Sequence, residues 1–216
     1  MEKTFKAVIW DFGGVFTSSP FDAFTRYEQE KGLPKDFIRS VNAVNPLENA
    51  WALLERSEVD AAGFDGMFRS ESQALGHEVP GRDVLSLLSG SLRPRVVAAL
   101  DACKAKGKVG CITNNAPIGK GASMTNDSEK AAQLEKVFAM FDHVIESSKL
   151  GIRKPDPRIY ALMCEALDVA PEECVYLDDL GINLKPARQM GMTTIKVLGE
   201  DQLLADLEAV TGYALA

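Results

Sequence analysis

Five short apolar runs, four of them followed by a cluster of polar side chains, constrain this chain more than any other feature. Residues 5–10, 109–113, 143–146, 175–177 and 193–197 are rich in β-branched and aromatic side chains, several bounded by Gly, Asp or Asn. Each reads as a buried strand. Between the later runs lie helical stretches at 94–106, closed by Gly107, at 129–141, at 157–167, and at 184–190, closed by Gly191. A β-α-β-α order requires a parallel sheet covered on both faces. The expected fold class is therefore α/β, a doubly wound parallel sheet.

The stretch after the first run breaks this rhythm. Up to about Ser91 the sequence shows helical periodicity at 21–32, 35–44, 47–55 and 61–75 and no convincing strand. Ser19, Pro20 and Asp22 supply a capping hydroxyl, a first-turn proline and an early acid, which together mark a helix start. The expected division is a core made of residues 1–17 and 92–216, with residues 18–91 inserted as an all-helical cap. A module placed straight after the first strand would sit over the carboxyl ends of the strands, where ligands bind in such sheets.

The polar clusters are Asp11-Phe12-Gly13-Gly14, Thr113-Asn114-Asn115, Lys154-Pro155-Asp156-Pro157, and Asp178-Asp179 followed by Asn183. Strands of a parallel sheet end on one edge, so these distant residues are expected to converge on one crevice. Crowded carboxylates repel, and a divalent cation would neutralise them while Lys154 holds an anionic substrate. Magnesium and a phosphate suit that charge pattern.

Charge and composition narrow the partners. The chain has 24 Lys plus Arg against 31 Asp plus Glu, a formal charge of −7, which repels nucleic acid and anionic membranes. No apolar run is long enough to cross a bilayer. The four cysteines show no C-x-x-C spacing, so a reducing, cytoplasmic setting is expected. Only His77 and His143 are present, too few for a histidine-based zinc site or triad. Phe21, Trp51, Met67 and Phe68 recur at helical spacing, which favours the interior of the insertion over a pocket lining.

Two runs carry a family resemblance: Gly151-Ile152-Arg153-Lys154-Pro155-Asp156-Pro157-Arg158-Ile159-Tyr160 and Tyr176-Leu177-Asp178-Asp179-Leu180-Gly181-Ile182-Asn183-Leu184-Lys185-Pro186-Ala187-Arg188. Over nearly its whole length the chain resembles the haloacid dehalogenase superfamily of hydrolases. Within it, the likeness is greatest to the phosphatase domain at the N-terminus of soluble epoxide hydrolases and its stand-alone bacterial relatives. The resemblance implies Asp11 as nucleophile, Thr113 as the assisting hydroxyl, Lys154 as the stabilising lysine and Asp178-Asp179 as the acidic pair. It further implies magnesium held by Asp11, the Gly13 carbonyl and Asp179, with Asp178 supporting Lys154 or the metal from behind. Asn114 would orient the phosphate and Asn183 the loop.

One position departs from the family pattern. Phosphatases of the superfamily carry a second aspartate two residues after the nucleophile as general acid and base, and this chain has Gly13 there. The resulting expectation is a magnesium-dependent phosphatase of a small phosphorylated metabolite, working through an aspartyl-phosphate, with proton transfer left to water, a cap residue or an easily departing leaving group. Two rivals remain: a 2-haloacid dehalogenase, which also lacks that aspartate, and a catalytically silent module that binds a phosphorylated ligand.

Overall fold

A computed structural model describes residues 4–88, 90–116, 118, 124, 125 and 127–215. Its centre is a five-stranded parallel sheet of β1 (Ala7–Trp10), β2 (Lys108–Thr113), β3 (His143–Glu146), β4 (Cys174–Asp178) and β5 (Thr193–Lys196), in the order β3-β2-β1-β4-β5. The chain winds outward from β1 to β3, then returns to place β4 against the other side of β1. Such a reversal leaves a crevice at the carboxyl ends of the central strands. Trp10 is level with Cys111 on one side and Leu177 on the other, so β1, β2 and β4 deliver Asp11, Thr113 and Asp178 to one edge.

Between β1 and the next core helix the chain forms α1 (Pro20–Lys31), α2 (Phe37–Ala43), α3 (Ala50–Glu55), α4 (Ala61–Ala74) and α5 (Gly81–Ser86). Helix α1 starts as its sequence suggests: the Ser19 hydroxyl accepts the Phe21 N–H at 3.3 Å, and Gly32 ends the helix at φ 65°. The helices expected at 35–44 and 47–55 are shorter. Asp36 at φ 59° and Asn45 at φ 47° interrupt the backbone, and the Asn49 side chain accepts the Ala52 N–H to open α3. Helix α5 has six residues, too few for periodicity to reveal. Phe24, Ile38, Leu54, Phe64, Phe68 and Val84 join the five helices in one apolar cluster, which also takes in Ala116 from the connection after β2. Thr17 pairs with Leu92, and the Ser18 N–H donates to the Ser91 carbonyl at 2.8 Å, so the chain leaves and re-enters the sheet unit side by side.

Alternate strand residues supply the two faces of the sheet. Val8, Trp10, Val109, Cys111, Val175 and Leu177 pack towards α6 (Pro94–Lys104), α7 (Ser128–Phe138) and α11 (Glu200–Thr211). Ala7, Ile9, Ile112 and Tyr176 pack towards α9 (Pro157–Leu167) and α10 (Gly181–Gln189). Burial on both faces explains why β1 reads as an unbroken apolar run. The expected start of α10 at 184 moves to Gly181 because the acidic turn runs straight into the helix. The short α8 (Ser147–Leu150) and the C-terminal α11 are additions to the sequence reading. All four cysteines are free and buried, and among the described residues no helix is long and apolar enough to cross a membrane.

The entry to α2 depends on one buried carboxylate. Glu28, 2% exposed, accepts the Asp36 N–H and the Ile38 N–H at 2.9 Å each, doing for α2 what a capping side chain usually does. Glu28→Ala should leave both amides unpaired and cost about 2–3 kcal/mol. Urea denaturation measures this, and an unchanged midpoint would show that α2 is held by its apolar contacts alone.

Candidate active site

Asp11 follows the last residue of β1, with its N–H donating to the Leu177 carbonyl at 2.8 Å. Its side chain is held on one oxygen only. Oδ1 accepts the Phe12 N–H at 2.6 Å and lies 2.7 Å from Lys154 Nζ. Oδ2 carries no protein donor among the described residues. Lys154 is 1% exposed and reaches Asp178 Oδ2 at 2.8 Å as well, so one ammonium bridges the ends of β1 and β4.

Asp178 is fully committed. Its oxygens accept from Lys154, from the Tyr176 hydroxyl, from the Leu180 N–H at 2.8 Å, and from the Asn183 amide at 3.1 Å to each oxygen. Asn183 in turn takes the Tyr160 hydroxyl on its carbonyl at 2.7 Å, which ties the start of α10 to α9. Asp179, next in the chain, faces the cleft instead. Gly14 makes room for it: a Cβ on Gly14 would lie 2.3 Å from Asp179 Oδ2, and the φ of +74° there also favours glycine. Arg93 donates to the Gly14 carbonyl at 2.8 Å and to the Val15 carbonyl at 3.2 Å, fixing the turn behind the aspartate.

Thr113, at the end of β2, is 3% exposed and lines the same cleft. Asn114 lines it too, and its side chain spans the Lys154 main chain. Oδ1 accepts the Lys154 N–H at 2.9 Å, and Nδ2 donates to the Lys154 carbonyl at 3.0 Å. The lysine itself sits in the loop between α8 and α9, not at a strand end as the apolar-run pattern suggests. Asn115 points away from the cleft chemistry and ties Glu146 and Ser148 together. The structure thus brings Asp11, Gly13, Thr113, Asn114, Asp179 and Asn183 to one cleft of about 500 Å³, with Lys154 and Asp178 beneath it. Phe21 and Trp51 line its far wall, whereas Met67 and Phe68 pack inside the insertion.

Three carboxylates meet one ammonium here. An oxygen from each of Asp11, Asp178 and Asp179 lies within 4.8 Å of the others. Burial, reinforced by Asp178, pushes the Asp11 carboxyl well above its ordinary range, against the opposing pull of Lys154. Burial and Asp178 raise Asp179 to about 6. Burial alone would lower Lys154, but Asp11 and Asp178 outweigh it and keep the ammonium charged. Such an uncompensated cluster fits a divalent cation, and Asp11 with Asp179 are the carboxylates that face the cleft to receive one.

Sequence reasoning passed over Tyr176, Arg93 and the pair Glu55 and Arg153. Tyr176 was within reach of it, because residues two apart on a strand share a face and Tyr176 lies under Asp178. Arg153 carried only its place beside Lys154 as a signal, and Glu55, 98 positions away, carried none.

The raised Asp179 carboxyl has a measurable consequence in metal-free protein. A carboxyl with a folded value near 6 and an ordinary unfolded value of 3.8 binds more protons folded than unfolded between those limits. Its contribution to stability therefore falls as pH rises through that window. With EDTA present, Asp179→Asn should gain on the wild type by about 1 kcal/mol between pH 5 and pH 7.5. Urea denaturation at both values reads this; a difference that does not change with pH would mean that Asp179 titrates normally.

The family model for haloacid dehalogenase-like hydrolases matches residues 5–191. Mouse bifunctional epoxide hydrolase 2 is 32% identical over 219 residues, covering 96% of this chain, and the chain spans 39% of that relative's length. A phosphatase of Mycobacterium tuberculosis is 29% identical, over 86% of this chain and 84% of its own. In structure, the chain resembles a family enzyme from Bacteroides thetaiotaomicron in complex with magnesium and inorganic phosphate, with a TM-score of 0.56 and 20% identity over 91% of this chain and 96% of that one. It also resembles L-2-haloacid dehalogenase from Xanthobacter autotrophicus, with a TM-score of 0.60 and 20% identity over 95% and 83% of the two chains. With five strands in this order, and with the family model spanning most of its length, the chain belongs to the haloacid dehalogenase-like hydrolases.

Proposed function

We propose that this hydrolase is a magnesium-dependent phosphatase of a small phosphorylated metabolite and that Asp11 carries the phosphoryl group. The observation that carries this reading is the half-used Asp11 carboxylate. Oδ1 is fixed by Lys154 and the Phe12 N–H, which leaves Oδ2 to attack phosphorus. Lys154 lies where charge builds up on the transferring oxygens, and the Thr113 hydroxyl joins it. Asn114 keeps one amide hydrogen for the phosphate while holding the lysine in place. Asp178, fastened by Tyr176 and Asn183, holds the Lys154 ammonium on its inner side. Water then hydrolyses the acyl phosphate.

Asp11, the Gly13 carbonyl and Asp179 are the groups that would hold magnesium. The ion supplies a positive charge that lets an anionic nucleophile approach an anionic phosphate. A resident cation also favours the ionised Asp11 that the attack requires. The division into a core of 1–17 and 92–216 with a cap of 18–91 belongs to the same reading, since the cleft lies between the sheet edge and the helices of the insertion. Apolar walls from Phe21, Leu47 and Trp51 suit a substrate with apolar surface beyond its phosphate.

Gly13 has no side chain to protonate a leaving group, and general acid catalysis is typically worth about 10²- to 10⁴-fold. The rate over a series of aryl phosphates should therefore depend steeply on the leaving-group pKa. The same missing group occurs in the dehalogenase reading, where the aspartate attacks carbon, so the two are separated by product. We expect magnesium-dependent release of p-nitrophenol from p-nitrophenyl phosphate, abolished by Asp11→Asn, and no chloride from 2-chloropropionate. Chloride release without metal would assign the dehalogenase instead, and binding of phosphate without either turnover would leave a silent module.

A further inference from the structure

The loop that carries Lys154 is held from two sides. From the sheet edge, the Asn114 amide brackets the Lys154 N–H and carbonyl. From the helical insertion, two groups hold the neighbouring Arg153. Its Nε lies 2.5 Å from Glu55 Oε2, an ion pair more than an aligned hydrogen bond, and its Nη1 donates to the Pro46 carbonyl at 3.0 Å. Glu55 ends α3, and its other oxygen accepts the Trp51 indole N–H at 2.8 Å. Two residues on, the Ser57 hydroxyl donates to the Ser148 carbonyl at 2.6 Å, at the opening of the same connection between β3 and α9.

This pair is a costly way to seat one element on another. The side chains of Glu55 and Arg153 are only 9% and 18% exposed, and a buried ion pair seldom stabilises more than an apolar pair of the same volume. What an ion pair adds is dependence on both partners being present. Both anchors of Arg153, Glu55 and the Pro46 carbonyl, belong to the insertion. Lifting the insertion would strip Arg153 of both at once, one residue from the ammonium that touches Asp11 and Asp178.

We propose that Glu55 is a positioning residue that transmits closure of the helical insertion to Lys154 through Arg153. The lysine is then fully placed only when the cleft is shut over its substrate. Asn114 is the pivot on the sheet side, so movement at Arg153 becomes a change in the reach of the Lys154 side chain. This inference rests on the phosphatase reading for its kinetic test, and for its optical one only on the cleft binding magnesium with a phosphate-like oxyanion.

With p-nitrophenyl phosphate and saturating magnesium, Glu55→Gln and Arg153→Met should each lower kcat by about tenfold or more and change KM by less than about threefold. The double variant should be no slower than the slower single one, because both substitutions break one linkage. It also stands in for Arg153→Met should that variant fail to fold around an uncompensated Glu55. A purely structural pair would instead lower the melting temperature and leave kcat intact.

The optical test uses Trp51, one of two tryptophans, the other being Trp10, fully buried in the core. Magnesium with orthovanadate should reduce acrylamide quenching of Trp51 in the wild type and not in Glu55→Gln. Unchanged kcat in Glu55→Gln, additive losses in the double variant, or equal protection of Trp51 in both proteins would overturn the proposal. Protection of Trp51 in a wild type that turns over no phosphate ester would overturn the phosphatase reading and leave the linkage standing.

Discussion

A lysine ammonium shut away from water between two carboxylates is the constraint on which the rest of this site depends. Lys154 touches Asp11 and Asp178, and each contact fixes something different. On Asp11 it occupies one oxygen and leaves the other without a protein donor among the described residues. On Asp178 it completes a set of donors that occupies both oxygens, and Asp179 is the neighbouring carboxylate that faces the cleft. The sheet makes this possible. With β1 between β2 and β4, three strand ends meet at the reversal of the winding.

The same ammonium does not balance the charge around it. Asp11 and Asp179 are both pushed upward by burial and by Asp178, and the imbalance calls for a second cation on the cleft side. Glycines set the space for it. Gly14 lets Asp179 approach the turn after β1, and a Cβ on Gly13 would meet only open space. As the proposed phosphatase, the protein would stabilise charge well and transfer protons poorly, and would favour substrates whose leaving groups depart without help. Over it, helices α1 to α3 of the insertion supply the far wall, and α3 is joined to the lysine loop through Arg153.

Much of this could be read in the sequence, and the reasons are physical. Buried parallel strands are apolar on both faces, so β1 to β5 stood out as runs, and their polar ends marked Asp11, Thr113 and Asp178 at once. Helix α1 was legible through Ser19, Pro20 and Asp22. Helix α5 was not, because six residues make less than two turns. The entry to α2 was displaced by Asp36, whose left-handed backbone is set by the two amides that Glu28 receives from eight and ten residues away. The partnership of Glu55 with Arg153 was hidden for a similar reason. A contact between an insertion and a core loop leaves no period in either segment.

Phosphorylation of Asp11 is the step on which the proposed reaction turns. Mixing the enzyme with radiolabelled substrate and magnesium, quenching in acid during the first turnovers, and mapping the label by peptide mass spectrometry tests it directly. The account predicts an acid-stable, hydroxylamine-labile phosphoryl group on the peptide that contains Asp11, absent from Asp11→Asn. Magnesium-dependent turnover with no labelled protein, or with the label on any other residue, would contradict it.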